Sequence, residues 1–491
     1  EKSSKLPYEV FEQEDFLNLL KLVKDDVGEK VTEGLCLSLS VLEYAGQILS
    51  IVIMIVVHEW WVAIAAAAIL SILIVVAKKS GEINYSAFED AEEERRKAEL
   101  MSEALTKKEC VYERKLFNYN DFFYKKWEKH YENANKIETE AEKMTFIKTG
   151  GISLETSFLS LMIAGVLVFP VIHGKMSIGM YAALVAAGFR LVDQMSWGLF
   201  MLIQDIIKSN LYINDYFRYY SLEERSTENR VMIDDKVESI VFDDVSFTYP
   251  NSEKPVLKHL SFSLKKGKRY MIIGVNGAGK TTIVNLLSGL YNSYEGRILI
   301  NGTELKSISD ESRRKLLSIV FQDFNHYNIS IREYLIDGDE VLIEKKLRQV
   351  LKKVGLSEKI NSLPQGINSN IGKIFENGID FSGGEWQKLA LAKSLLSKAS
   401  AKIFDEPTAA IDPVNERKIF DIFENEVNDP ETISIIISHR LGCVEQVDEI
   451  LVLSDGIITE KGTARELLEK DGLYNEMYTV QKEWYYELQE C

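Results

Sequence analysis

The sequence predicts two structural classes joined in one chain: an all-α membrane bundle, followed by an α/β domain of the P-loop nucleoside-triphosphatase kind. Three observations carry that prediction. The first half holds four long apolar runs, and a polar, helix-favouring stretch separates the second from the third. In the second half, G-x-x-x-x-G-K-[ST] stands between an apolar strand and a helix. The 491 residues leave room for two or three domains. Asp+Glu 75 against Lys+Arg 58 gives a net charge of −17, so no general basic surface is available to hold nucleic acid. Cys36, Cys110, Cys443 and Cys491 lie far apart with no CxxC, which excludes a disulfide scaffold or zinc site and predicts free thiols in a reducing compartment.

The apolar runs come first. Leu35 to Val57 is long enough to cross the hydrocarbon, which takes about 20 residues. Val62 to Ala77 is shorter, but Trp60 and Trp61 precede it, and tryptophans favour the membrane interface. A second pair, 152–172 and 178–207, is joined by the turn from His173 to Ser177. Lys78, Lys79, Arg95, Arg96 and Lys97 follow the second run, whereas the short turns carry a single lysine. The positive-inside rule therefore puts 78–148 in the cytosol, with both ends of this four-span bundle on that side. The segment from Ala87 to Lys148 is nearly free of Gly and Pro and alternates charge signs, as two long helices meeting near Tyr112 to Asn120 would. Glu155, Arg190 and Asp193 fall inside the runs. Ionisable groups there face a bundle interior or wet cavity, although Arg190 and Asp193, at i and i+3, can also pair with each other.

The pattern changes at Lys236. Residues Ile240 to Phe247 alternate as a half-buried strand does. The buried run Tyr270 to Ile273 leads into Gly274-Val275-Asn276-Gly277-Ala278-Gly279-Lys280-Thr281, and Thr282 opens a helix. Glycines there let backbone N–H groups face phosphates, and the helix N-terminus adds partial positive charge. Lys280 is placed to reach the β- and γ-phosphates of ATP, and Thr281 to offer its hydroxyl to Mg²⁺. Farther on, Lys402-Ile403-Phe404 ends in Asp405 and Glu406, a pair suited to the Mg²⁺ shell and to general-base work on the attacking water. Ser382-Gly383-Gly384 opens a second helix with an anion-friendly start. One nucleotide held from one side does not need it; a nucleotide held by another subunit does.

Together these residues resemble the nucleotide-binding domain of ATP-binding cassette (ABC) transporters. The whole chain is similar to an exporter half-transporter, its membrane domain fused in front, like the peptide and lantibiotic exporters of Gram-positive bacteria. The resemblance implies that Tyr249 stacks on adenine, that Gln322 serves the magnesium shell and catalysis, and that His439 contacts the γ-phosphate. It also implies that Asp412 belongs to the D-loop, and that Ser382, Gly383 and Gly384 form the signature. Two ATP would be sandwiched in a homodimer or heterodimer, each between the loop 274–281 of one subunit and the signature of the other. Coupling would run through Phe11 to Leu20 and Tyr112 to Asn120. Membrane lipids and a peptide or amphipathic substrate are the expected partners. The expected location is the cytoplasmic membrane, multi-pass, with the nucleotide domain in the cytosol. Domain boundaries are placed at 1–222 for the membrane part, 223–236 for a linker and 237–491 for the cassette.

Three departures from the family pattern matter. Glu385 stands where Gln is usual, with little expected effect on hydrolysis. Lys402 interrupts the apolar run and predicts a less buried strand. Four spans are visible where the family has six, and 6–23 resembles the cytosolic loop between the second and third, so two further spans are expected upstream. A peptide is the expected cargo of an ATP-driven export cycle. A lipid flippase or multidrug exporter is the alternative, and a non-transporting ABC ATPase is disfavoured by one cassette joined to four spans with short outward turns.

Overall fold

The computed structural model describes residues 2–23, 27–56, 61–174, 176–193, 198–225, 230–233, 236–323, 325–336, 343–372, 378–408, 419, 429–440 and 444–487. They fall into two compact units: Glu1–Ser4 with Gln13–Glu223, and Lys5–Glu12 with Glu224–Cys491.

The first unit is helical. It contains α1 (Glu14–Val23), α2 (Val27–Val56), α3 (Trp61–Thr106), α4 (Asn120–Ile172), α5 (Ile178–Asp193) and α6 (Leu199–Ser221), with a short helix at Val111–Leu116 between α3 and α4. At 46 and 53 residues, α3 and α4 are roughly 70 and 80 Å long at 1.5 Å per residue. That is more than twice the hydrocarbon thickness, so a membrane could hold only part of each. Their polar halves pair antiparallel. Asn84 accepts from Thr145, Arg95 pairs with Glu138 at 2.8 Å, and Glu94 accepts from Asn133 at 3.0 Å and meets His130 at 2.9 Å. The rungs climb α3 as they descend α4. Ala91, Ala98, Ala134 and Ala141 are buried, each pair seven residues apart, so small side chains let the backbones approach along one seam. The His130 hydrogen bond, followed by Asn133 and Lys97, holds the Glu94 carboxyl down at about 2.

The apolar runs take helical form, with one difference from the sequence reading. The run 178–207 is shared by α5 and the start of α6, and 194–197 lie outside the described residues. Among the described residues, no helix is long and apolar enough to cross a membrane. Most side chains of 62–77 and 152–172 lie outside that set, as do those of Glu155 and Asp193, while Arg190 is exposed on α5. Cys36 and Cys110 are free thiols; Cys443 and Cys491 lie outside the described residues.

The second unit is built on two sheets. β1 (Ser239–Phe247), β2 (Leu257–Lys265), β4 (Glu295–Ile300) and β5 (Thr303–Glu304) form an antiparallel sheet in the order β2-β1-β4-β5. The larger sheet runs β10 (Ile457–Gly462), β9 (Glu449–Ser454), β3 (Arg269–Gly274), β8 (Ile433–Ile437), β7 (Ala401–Asp405), β6 (Leu317–Val320), parallel except at the β10 edge. Helices cover both faces, which is why β3 reads as a continuous apolar run. Tyr270 and Ile272 enter one core, with Ile403, Ile435 and Leu451, and Met271 and Ile273 enter the other, with Phe404, Ile450 and Val452.

β7 corrects one expectation. Lys402 does not leave the strand exposed, because β7 lies inside the sheet between β6 and β8 and its other four residues are buried. Ser318 and Ser434 stand in register on either side of Lys402. Burial and the nearby Lys346 lower the basicity of its ammonium, and Asp429 offsets part of that.

Lys5–Glu12 packs with the second unit, so the expected coupling segment Phe11 to Leu20 is split between the two units. Glu12 Oε1 accepts from the Tyr291 hydroxyl at 2.6 Å, and Glu9 Oε1 accepts from Ser293 Oγ at 2.8 Å and the Asn292 N–H at 3.1 Å. Tyr8 meets the Tyr291 ring edge-on at 5.5 Å.

Candidate nucleotide site

The C-terminal ends of β3, β7 and β8 carry the site, where a parallel α/β sheet places ligands. After β3 the loop 275–279 passes into α7 (Lys280–Ser288), and the next long helix of this unit is α8 (Ile343–Lys353). Gly274 has no substitute: a Cβ there would lie 2.2 Å from the Leu453 carbonyl of β9. Gly279, at φ +104°, caps α7 in the left-handed region and would drive a Cβ to 2.7 Å from Leu257. Asn276 and Gly277 lie exposed at the loop tip, and Ala278 is buried beneath it. Lys280 is buried, and its Nζ donates to the carbonyls of Gly274 at 2.9 Å and Val275 at 3.1 Å. Burial lowers the basicity of that ammonium, and Glu406 and Asp405 pull it back up.

Asp405 ends β7 at 1% exposure, and neither carboxylate oxygen has a hydrogen-bond partner among the described residues. Burial pushes its carboxyl up to about 6; the Thr281 hydroxyl close by opposes the rise, and Glu406 adds to it. A buried carboxylate left bare costs free energy that a proton or a hard cation relieves. The residues therefore fit Mg²⁺. Between about pH 4 and 6 the folded chain binds a proton that the unfolded chain has released, so this carboxyl's contribution to stability falls as pH rises through that window. If Asp405 takes Mg²⁺ alongside ATP, the sign reverses, because a carboxylate and not a carboxylic acid ligates a hard cation. The stabilisation by Mg·ATP measured in thermal unfolding is expected to be larger at pH 7.5 than at pH 5, and an equal shift at both would count against Asp405 as a ligand.

Glu406 follows at φ +47°, in the left-handed region. Its N–H donates to the Ile437 carbonyl of β8 at 2.8 Å, its carbonyl accepts from Gln387 Nε2 at 3.1 Å, and its carboxylate meets His439 Nδ1 at 3.1 Å. Two of these bonds thus hold the Glu406 main chain and one, from His439, reaches the carboxylate, and His439 stays partly open to solvent. The His439 carbonyl in turn accepts from Gln481 on α10 (Leu473–Glu487). Tyr249, just past β1, is half-buried; its hydroxyl lies 3.0 Å from Thr282 Oγ1, and its ring packs edge-on against Phe247 and Tyr291. Gln322 is exposed just beyond β6, whose Val320 pairs in register with Phe404 beside Asp405.

Ser382 caps α9 (Gly383–Leu396), with Ser382 and Gly383 exposed. Among the described residues no hydrogen bond joins 382–384 to the loop 274–281 of the same chain. Glu385 completes the cap: its Oε2 accepts from the Ser382 N–H at 2.8 Å and from Lys359 Nζ at 2.6 Å. Burial would raise the Glu385 carboxyl, yet Lys359 and Ser382 win and hold it below the ordinary range. Asp412 lies outside the described residues. Sequence reasoning missed Gln387, Gln481 and Lys359; Gln387 sits one turn into a helix whose start was recognised, which was the only signal.

A P-loop cassette of this geometry, following a helical unit in the sequence, defines a class, and comparison with known proteins gives the family. Residues 257–409 match the ABC transporter family and 11–189 match the ABC transporter transmembrane region. The chain belongs to the ABC transporters. It is 34% identical to the subtilin transport ATP-binding protein SpaT of Bacillus subtilis, over 78% of this chain and 62% of that protein. It is 31% identical to the nisin transport ATP-binding protein NisT of Lactococcus lactis, over 66% and 54%, and 30% identical to the ATP-dependent lipid A-core flippase of Idiomarina loihiensis, over 70% and 59%. The chain thus spans less than two thirds of the length of these relatives. A bacterial Atm1-family ABC exporter solved with ATP bound shares the fold, with a TM-score of 0.81 at 24% identity, covering 98% of this chain and 83% of that one.

Proposed function

We propose that the chain is one half of an ATP-driven exporter in the cytoplasmic membrane, its cassette in the cytosol, carrying a peptide outward by alternating access of a homodimer or heterodimer. The convergence of Lys280, Thr281, Asp405, Glu406 and His439 at three strand ends carries this reading. Thr281, Gln322 and Asp405 would hold Mg²⁺, which supplies neutralisation of phosphate charge. Lys280 and the N–H groups of 274–281 bind the phosphates, and Tyr249 takes the adenine. Glu406 accepts the proton of the attacking water, and His439 steadies that carboxylate and reaches the γ-phosphate. Ser382, Gly383 and Gly384, the first two exposed at the start of α9, would close on the nucleotide of the second subunit.

A peptide is favoured over a bare lipid tail by a cavity of about 740 Å³ in the helical unit. Phe88, Arg95, Glu138, Lys143, Asp205 and Lys208 line it, mixing aromatic surface with both signs of charge. The likeness to the subtilin and nisin transport proteins supports the same choice. The likeness to lipid A-core flippases keeps lipid export as the second reading, with a multidrug exporter beside it. In lipid nanodiscs and inside-out vesicles, cationic amphipathic peptides are expected to stimulate ATP turnover and to accumulate in the lumen. Stimulation by lipid alone, with no peptide uptake, would defeat the peptide reading.

A further inference from the structure

The helix α9 touches two places that matter for nucleotide chemistry. Its N-terminus exposes Ser382 and Gly383, and one turn along, Gln387 is 3% exposed with its Nε2 on the main-chain carbonyl of Glu406 at 3.1 Å. Glu406 is held at φ +47°, a conformation that side chains other than glycine adopt only when their surroundings over-determine it. Two of its restraints come from β8 and the residues just after it, Ile437 and His439. The contact from Gln387 comes instead from the helix that begins at 382–384. A buried amide is a costly choice where an apolar side chain would pack, unless its hydrogen bonds are used.

We infer that Gln387 is a positioning residue: it ties α9 to the peptide unit of Glu406 and so holds the carboxylate that serves as general base for the chain's own ATP. The inference rests on the hydrolysis reading given above and deepens it, because it names the side chain that holds the general base from the helix opened by Ser382. Without the donor, the Glu406 carbonyl is released and the left-handed turn is free to relax, swinging the carboxylate away from the water it must activate. Binding of ATP, which uses 274–282 and Tyr249, is untouched.

The test uses the full chain in nanodiscs, with Gln387→Leu and Gln387→Met, the second keeping length and flexibility in case the first does not fold. Each is expected to lower kcat at least about tenfold, a rise of about 1.4 kcal/mol in the barrier, with KM for ATP within about twofold of the parent. The same substitutions are then added to Glu406→Gln. If Gln387 acts through Glu406, the residual turnover there changes less than about twofold, a non-additivity that a general loss of structure does not produce. Parent-like kcat in both Gln387 variants, with turnover lost in Glu406→Gln, overturns this inference alone. A full tenfold loss persisting in the Glu406→Gln background overturns it too, since Gln387 would then act elsewhere. Parent-like turnover in Glu406→Gln overturns the hydrolysis reading itself.

Discussion

Glu406→Gln is expected to cut ATP turnover by roughly 10²–10⁴-fold, the range for loss of a general base, while ATP still binds. The amide has the shape of the carboxylate, so the contact to His439 and the main-chain bonds to Ile437 and Gln387 persist. What disappears is the basicity that takes a proton from water. Because the substitution leaves 274–282 alone, equilibrium binding of a fluorescent ATP analogue should match the parent within a few-fold, and only the steady-state rate should collapse. A variant keeping more than about a tenth of the parent rate would remove Glu406 from the role of base.

Lys280→Ala is expected to act on the other parameter. Charge-assisted hydrogen bonds contribute about 1.5–3 kcal/mol, so its loss should weaken ATP binding by roughly 10- to 150-fold. There is a second consequence. The Lys280 charge lowers the Asp405 carboxyl, which burial already raises to about 6. Without it Asp405 shifts further up, and magnesium dependence should move to higher metal concentrations at neutral pH. Titration calorimetry with ATP and Mg²⁺ checks both effects. Affinity within about threefold of the parent would sink the assignment.

What was legible in the sequence was local. The loop 274–281 announces itself because glycine spacing, an apolar strand and a helix start fall within some twenty residues, and each requirement is steric or electrostatic at short range. Ser382, Asp405 and Glu406 were legible because each sits at an element end with recognisable flanks, whereas His439 stood out only through the family resemblance. The residues that aim them were not. Gln387 reaches Glu406 across 19 residues, Gln481 reaches His439 across 42, and Lys359 reaches Glu385 across 26, contacts that only tertiary packing creates. Glu385 looked like a neutral exchange because the family resemblance gives the phosphate contacts to its neighbours in sequence, whereas in space it closes a helix cap and pairs with Lys359. Lys402 misled for the opposite reason. One polar residue in a five-residue strand outweighs its neighbours in a linear reading, but strands on both sides bury the other four.

The docking of Tyr8 to Glu12 on the cassette also sets a timetable for synthesis. Glu12 and Tyr291 are 279 residues apart. At 5–20 residues per second, roughly 15 to 55 s pass between the emergence of the first and of the second from the ribosome. Through that interval residues 13–223 of the helical unit are made while Tyr8 waits without the Tyr291 ring that it meets edge-on. The cassette is thus a discontinuous folding unit whose first strip of chain is laid down before the helices and used after them. A cassette cut out at residue 224 would leave Tyr291, 2% exposed in the intact fold, with its ring and hydroxyl stripped of Tyr8 and Glu12.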